Sequence, residues 1–317
     1  MPQVTVAIPA YRPQFLGQAI ASVLAQTFDD YELLVSDDAP DGTVKAVVAH
    51  FADPRIRLIE GPRQGLVPNS MRLWEDARAD LLKFVYDDDF LLPFALADLQ
   101  AALAAQPDAN YAFCQRHWVD TSGRITSSPK PLQRDSVTLI QGADVARALV
   151  GTMSNPLGEP TCLLIRRSRF DGPDCLGSFA GLPIRHMVDV AFFLNAAARG
   201  PCLGLPSFGA AFRRHPDQAT SDQAAPAFSL AVLEWEIFLR GAVSGGLVPA
   251  ASALAILPRL EDAYRRFAPQ FPELEGFLAG LPTLRTALTD EAVDLVTDGF
   301  RDLVSDAHAA IAARRSI

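Results

Sequence analysis

The sequence predicts an α/β fold: a mostly parallel sheet flanked by helices, followed by a helical appendage at the C-terminal end. Three observations carry this. Apolar, partly β-branched runs begin near Val4, Tyr31, Arg55 and Leu81, a repeat of about 25 residues that suits a strand, a crossover helix and two turns. Between them Phe15, Ala19, Ile20, Val23 and Leu24, then Val44, Val47, Val48 and Phe51, recur at helical spacing. From about Pro226 onward the apolar positions, among them Leu284, Leu288, Leu295, Val296, Leu303 and Ile311, are separated by charges as in a layer of amphipathic helices.

Taken in order, Val4–Ile8 and Leu33–Val35 are continuous rather than alternating apolar runs, which suits strands covered on both faces. Tyr111, Phe113, Trp118 and Val119 point to a longer strand in a mixed part of the sheet, with a turn at Ser122-Gly123. The uncharged stretch from Gly241 to Pro258 is broken by glycine, proline and serine, and reads as two packed helices joined by a loop rather than a membrane span.

The chain has 317 residues, 49% of them hydrophobic, with 28 Lys and Arg against 37 Asp and Glu and a net charge of -9. These values fit a globular chain with a substantial core and exclude a disordered or fibrous one. The acidic balance argues against nucleic acid as a partner and leaves the Arg213-Arg214 pair as a local anion site. Cys114, Cys162, Cys175 and Cys202 form no C-x-x-C pair, so reduced, buried thiols are expected. The start at Met1 leaves no room for a signal peptide before the first strand, which suggests a cytoplasmic protein, with peripheral contact at the inner face of a membrane as the further option.

In a parallel sheet, ligands bind beyond the carboxyl ends of the strands. Here those ends read Pro9-Ala10-Tyr11-Arg12, Ser36-Asp37-Asp38 and Tyr86-Asp87-Asp88-Asp89. Several carboxylates facing one crevice repel one another unless a cation joins them, and oxygen donors favour magnesium or manganese shared with the phosphates of a nucleotide. The alternative is ordinary: Asp-rich strand ends also serve as turns and helix caps.

Val4 to Tyr11, Ser22 to Thr27, Tyr31 to Asp38, Gly65 with Asn69, and Asp87 to Pro93 together resemble the family-two glycosyltransferases in order and spacing. The likeness is dense over roughly the first hundred residues, intermittent to about Ser221 and absent from the tail. It implies a GT-A fold over residues 1–225, followed by a helical extension over 226–317. It also implies transfer of a sugar, with inversion, from a nucleotide-diphosphate donor, in the first instance a UDP-sugar, to an acceptor hydroxyl on a glycan, a lipid-linked glycan or a small molecule. The helical extension would offer a surface for homo-oligomers.

Residue by residue, the resemblance sets Pro9 and Tyr11 against the base, Asp38 on the uracil imide, and Asn69, Asp87 and Asp88 around the nucleotide. Asp89, Asp87 and His215 would serve the metal, either manganese or magnesium, Arg213 would hold the diphosphate, and Asp189 would be the base that deprotonates the acceptor. Tyr86 stands where many relatives carry the first acidic residue, and Arg12 where asparagine is common. Two other functions fit the same sheet: a nucleotide-sugar-binding module acting through its helical tail, and a sugar-phosphate nucleotidyltransferase. The latter expects a glycine-rich turn after the first strand, and Pro9 to Leu16 contains no glycine.

Overall fold

The computed structural model describes residues 1–216 and 228–315. Asp217 and Gln218 of the expected phosphate-covering loop, Ser221 and the expected boundary at 225 lie outside the described residues. The chain forms two compact units. The first takes Met1–Gln141, Pro156–Leu176 and Arg199–His215; the second takes Gly142–Asn155, Gly177–Ala198 and the described residues from Pro216 on.

The first unit has the expected α/β architecture. It begins β1 (Val4–Ala10), α1 (Pro13–Leu24), β2 (Tyr31–Asp37), α2 (Thr43–Val48), β3 (Ile56–Glu60), α3 (Leu66–Asp76) and β4 (Leu81–Phe84). It continues with β5 (Phe90–Leu91), α4 (Ala95–Ala105), β6 (Tyr111–Val119), β7 (Ile125–Ser127) and β8 (Thr138–Ile140). After α5 (Gly142–Thr152) of the second unit the chain returns as β9 (Leu163–Arg166) and, later, β12 (Cys202–Arg213).

The sheet order is β3-β2-β1-β4-β9-β6-β12-β5. The β3, β2, β1 and β4 strands are parallel; β9 then runs antiparallel to both β4 and β6, and β12 lies parallel to β6. All seven residues of β1 are buried, as its continuous apolar run requires. Pro13 opens α1, where its missing N–H costs nothing and its fixed φ suits the first turn. Lys83 is the polar exception inside β4. It is fully buried, and its Nζ donates to the carbonyls of Thr161 at 2.6 Å and Leu163 at 3.0 Å, fastening the Pro160–Cys162 turn to the sheet.

The first unit's segment ends within α6 (Asp174–Gly177), and the second unit then holds a hairpin of β10 (Ser178–Phe179) and β11 (Leu182–Pro183), followed by α7 (Val188–Ala197). The helices α8 (Phe228–Ser244), α9 (Ala250–Phe267), α10 (Glu275–Thr289) and α11 (Asp298–Arg315) follow, and α8 and α9 are the helix pair expected across Gly241 to Pro258. The hairpin turn, Ala180-Gly181, has φ of 51° and 73°, the left-handed pair that matches strand twist in a two-residue loop. The hairpin packs closely on α8, because a Cβ at Gly241 would come within 2.6 Å of the Phe179 ring. Among the described residues no helix is long and apolar enough to cross a membrane.

Glu234, buried in α8, carries the entry to α7. Its carboxylate accepts from the backbone N–H groups of Arg185 at 2.7 Å, His186 at 3.0 Å and Met187 at 2.7 Å, donors just ahead of the helix. Burial outweighs those three bonds and raises its pKa to about 7. Between its ordinary value near 4.5 and about 7, the folded chain keeps a proton that the unfolded chain has released. The stability Glu234 contributes is therefore complete at low pH and lost as pH rises through 7. Urea unfolding from pH 5 to pH 8 checks this: the stability difference between wild type and Glu234→Gln should shift against the wild type by about 2.5 kcal/mol across that range. A pH-independent difference would refute the assignment.

Candidate active site

The loop closing β1 is held from both sides by residues that follow neighbouring strands, the backbone N–H of Asp38 and the carboxylate of Asp87. On one side the N–H of Asp38 donates to the carbonyl of Ala10 at 2.9 Å. On the other, Oδ2 of Asp87 accepts from the backbone N–H groups of both Tyr11 and Arg12 at 2.7 Å. Pro9 is buried at the end of β1, whereas Tyr11 is 56% exposed and presents its ring to solvent. Asp87 has its pKa raised to about 6, chiefly by burial, against the pull of the two N–H donors.

Asp38 is buried and organises the loop before α3. Its Oδ1 accepts from Arg63 N–H and its Oδ2 from Gly65 N–H at 3.0 Å. Each oxygen keeps a second lone pair. The backbone there is built around this carboxylate: a Cβ on Gly61 would lie 2.7 Å from Oδ1, and Gly65 has φ +92°, a conformation side chains disfavour. Asn69, on α3, is buried, and its Oδ1 lacks a hydrogen-bond partner among the described residues.

The three aspartates after β4 differ sharply. Asp89 is 1% exposed; its Oδ2 accepts from the Thr161 hydroxyl at 2.6 Å and its Oδ1 from Arg213 N–H at 3.1 Å. Burial, with the neighbouring Asp88 second, pushes its pKa well above the carboxylate range. Both of its oxygens are thus engaged inside the protein. Asp88 is the accessible member, and its Oδ2 lies 3.1 Å from Nε2 of His215. The His215 ring is buried against Phe15, and its Nδ1 has no hydrogen-bond partner among the described residues.

Arg213 does not have the arrangement expected of a diphosphate ligand. It is fully buried, with Nε donating to the Asp88 carbonyl at 2.8 Å, Nη1 to the carbonyls of Asp120 and Thr121 at 3.0 Å, and Nη2 to the Gln18 side chain. Its guanidinium lies 4.2 Å over the Phe15 ring. Enclosed donors that already serve carbonyls are not offered to a ligand, and the exposed cation beside it is Arg214, stacked 4.9 Å over Trp118.

Asp189 lies in the second unit, in the first turn of α7. Its Oδ2 accepts from Asn155 at 2.6 Å and its Oδ1 from Val190 N–H at 2.8 Å. Glu234 fixes the three residues just ahead of that turn.

Sequence reasoning passed over Thr161, Lys83 and Glu234. Lys83 carried a legible signal, a lone cation inside the apolar run Leu81 to Val85, whereas Thr161 and Glu234 gain their roles only from partners more than 45 positions away.

Among the described residues no group of three or more His, Cys, Asp and Glu is disposed to hold a metal unaided. The Asp88–His215 pair, one oxygen and one imidazole nitrogen, fits a cation that takes its remaining ligands from nucleotide phosphates, as magnesium commonly does.

Comparison with known proteins gives a consistent picture. Residues 5–171, more than half of the chain, match the family model for Glycosyl transferase family 2. The uncharacterised protein MT1568 of Mycobacterium tuberculosis is 30% identical over 217 residues, covering 65% of each chain. The GalNAc(5)-diNAcBac-PP-undecaprenol beta-1,3-glucosyltransferase of Campylobacter jejuni is 36% identical over 104 residues, 31% of this chain and 34% of that one. The chain thus spans less than two thirds of the length of either relative. Among solved structures, S. aureus TarS 1-349 in complex with UDP-GlcNAc aligns with a TM-score of 0.59 at 15% identity, over 98% of this chain and 92% of that one. Its complex with UDP aligns at 0.58 and 14%, over the same shares. At such identity the likeness is one of fold, the GT-A-like α/β arrangement with C-terminal helices. With the family model covering β1 through β9, the chain belongs to glycosyltransferase family 2.

Proposed function

We propose that the chain is an inverting, metal-dependent glycosyltransferase that moves a sugar from a UDP-linked donor to an acceptor hydroxyl. The observation that carries this reading is the β1–α1 loop held between Asp38 and Asp87, with the Asp88–His215 pair at the end of the same strands. The preference for uridine rests on Asp38 and is supported by the TarS complexes with UDP and UDP-GlcNAc.

In this reading the exposed Tyr11 ring and Pro9 take the base, a free lone pair of Asp38 accepts the imide N–H, and Asn69 Oδ1 accepts a further nucleotide donor. Asp87 sets the position of the Tyr11-Arg12 backbone beside the ribose. Asp88 and His215 hold the cation, manganese or magnesium, which when bound supplies positive charge against the departing diphosphate. Asp89, with its oxygens taken up by Thr161 and Arg213, positions that pair rather than binding the ion. The exposed Arg214 replaces Arg213 as the phosphate ligand.

The acceptor hydroxyl attacks the anomeric carbon and its proton passes to Asp189. The bond from that carbon to the phosphate oxygen breaks with its electron pair going to UDP, so inversion follows from a single displacement. Asn155 and the α7 backbone orient the Asp189 carboxylate for this task.

Two measurements test the assignment. Asp189→Asn should lower transfer about 10²–10⁴-fold while UDP affinity by calorimetry stays at the wild-type value, because the base meets only the acceptor; equal losses in both would make Asp189 structural. UDP should bind the wild type more tightly with manganese than without, and Asp88→Asn should erase most of that difference. A wild-type affinity indifferent to manganese would remove the metal from the mechanism.

A further inference from the structure

The second unit contains a cavity of about 400 Å³ that the proposed transfer does not use, between the β10–β11 hairpin and one face of α11. The helical wall runs from Arg301 through Val304, Ser305 and His308 to Ala312 at steps of three and four residues, and is therefore a single stripe. Leu182 and Pro183 face it from the hairpin, with Arg185 just beyond. Its volume lies within the range of small-molecule sites.

The polar groups of this cavity share one character. Arg185 and Arg301 supply two guanidinium groups, and among the described residues no carboxylate lines the wall. Arg301 spends one N–H on the carbonyl of Gly181 at 3.3 Å, out of five. His308 is 8% exposed, and its Nδ1 receives Arg185 Nε–H at 3.4 Å. A ring nitrogen that accepts leaves the proton on the other, so Nε2 is a donor. That Nε2 is buried and has no hydrogen-bond partner among the described residues. Burial and the Arg185 charge lower the His308 pKa to about 4, keeping the ring neutral. A buried donor without an acceptor is unfavourable, and a ligand oxygen at this point removes the cost.

We propose that this cavity binds an amphiphilic oxyanion: a phosphate or carboxylate head held by Arg185, Arg301 and His308, with a short apolar chain lying on Leu182, Val304 and Ala309. Charge-assisted bonds from the two guanidinium groups supply the recognition of the head. A bare inorganic anion would leave the apolar wall wet, and a neutral apolar ligand would leave the cations and the His308 donor unanswered. The inference involves neither UDP nor the acceptor and stands independently of the transferase reading.

Calorimetry on the full chain tests it with four probes: hexyl phosphate, hexanoate, inorganic phosphate and hexanol. At least one of the first two should bind tenfold or more tightly than both of the last two, and the better one identifies the head as phosphate or carboxylate. Arg301→Gln removes a charge, and Ala309→Trp, at an exposed helical position, fills the cavity; each should weaken that binding at least tenfold. The His308 Nε2 resonance should move on titration of the wild type. The proposal is overturned if neither amphiphile outbinds inorganic phosphate and hexanol, if either variant binds as the wild type does, or if His308 gives no response.

Discussion

The arrangement around the first unit's strand ends depends on one enclosed carboxylate. Asp89 draws together the turn after β4, the Thr161 hydroxyl ahead of β9 and the last residue of β12, the latter two lying 72 and 124 positions from it in the chain. A carboxylate in such surroundings is tolerable only while its donors stay in place, since a lost partner leaves a buried charge or forces its protonation. Lys83 reinforces the same junction from below by gripping the carbonyls of Thr161 and Leu163. Arg213 closes it from the other side, its side chain binding the carbonyl of Asp88 while its backbone serves Asp89. Asp88 and His215 are thus presented by a frame with little freedom of its own.

The fate of the acidic residues illustrates how charge density is managed. Read as a string, Asp38 and Asp87 to Asp89 suggest a crowd of negative groups that only a cation can reconcile. In the folded chain most of that charge is met by N–H and O–H donors: two backbone amides for Asp38, two for Asp87, and an amide and a hydroxyl for Asp89. Asp88 keeps an accessible oxygen edge, next to an imidazole. The need for positive charge therefore concentrates at one place instead of being spread over the cluster.

Much of this was legible in the sequence, for identifiable reasons. Strands buried on both faces write continuous apolar runs, so β1, β2 and β4 announced themselves, and the carboxylates that end them followed from topology. The inward turn of Arg213 was not legible, because a basic pair gives no hint of which member turns inward; that choice is made by Phe15, Gln18 and the carbonyls of residues 120 and 121, none of them near it in sequence. Asp89 carried the same ambiguity, since three successive aspartates look alike until Thr161 selects one. The His308 cavity was invisible for a related reason: an α11 stripe of Arg, Val, Ser, His and Ala reads as an ordinary amphipathic face until the hairpin is laid against it.

Glu234 bears on how this chain can diverge. The residues that lead into α7 are seated by a carboxylate supplied from α8, more than 45 positions later, within the second unit. Removing α8 would take the acceptor away from all three N–H groups, so the late helices cannot be cut off as a cassette without unseating the turn that carries Asp189.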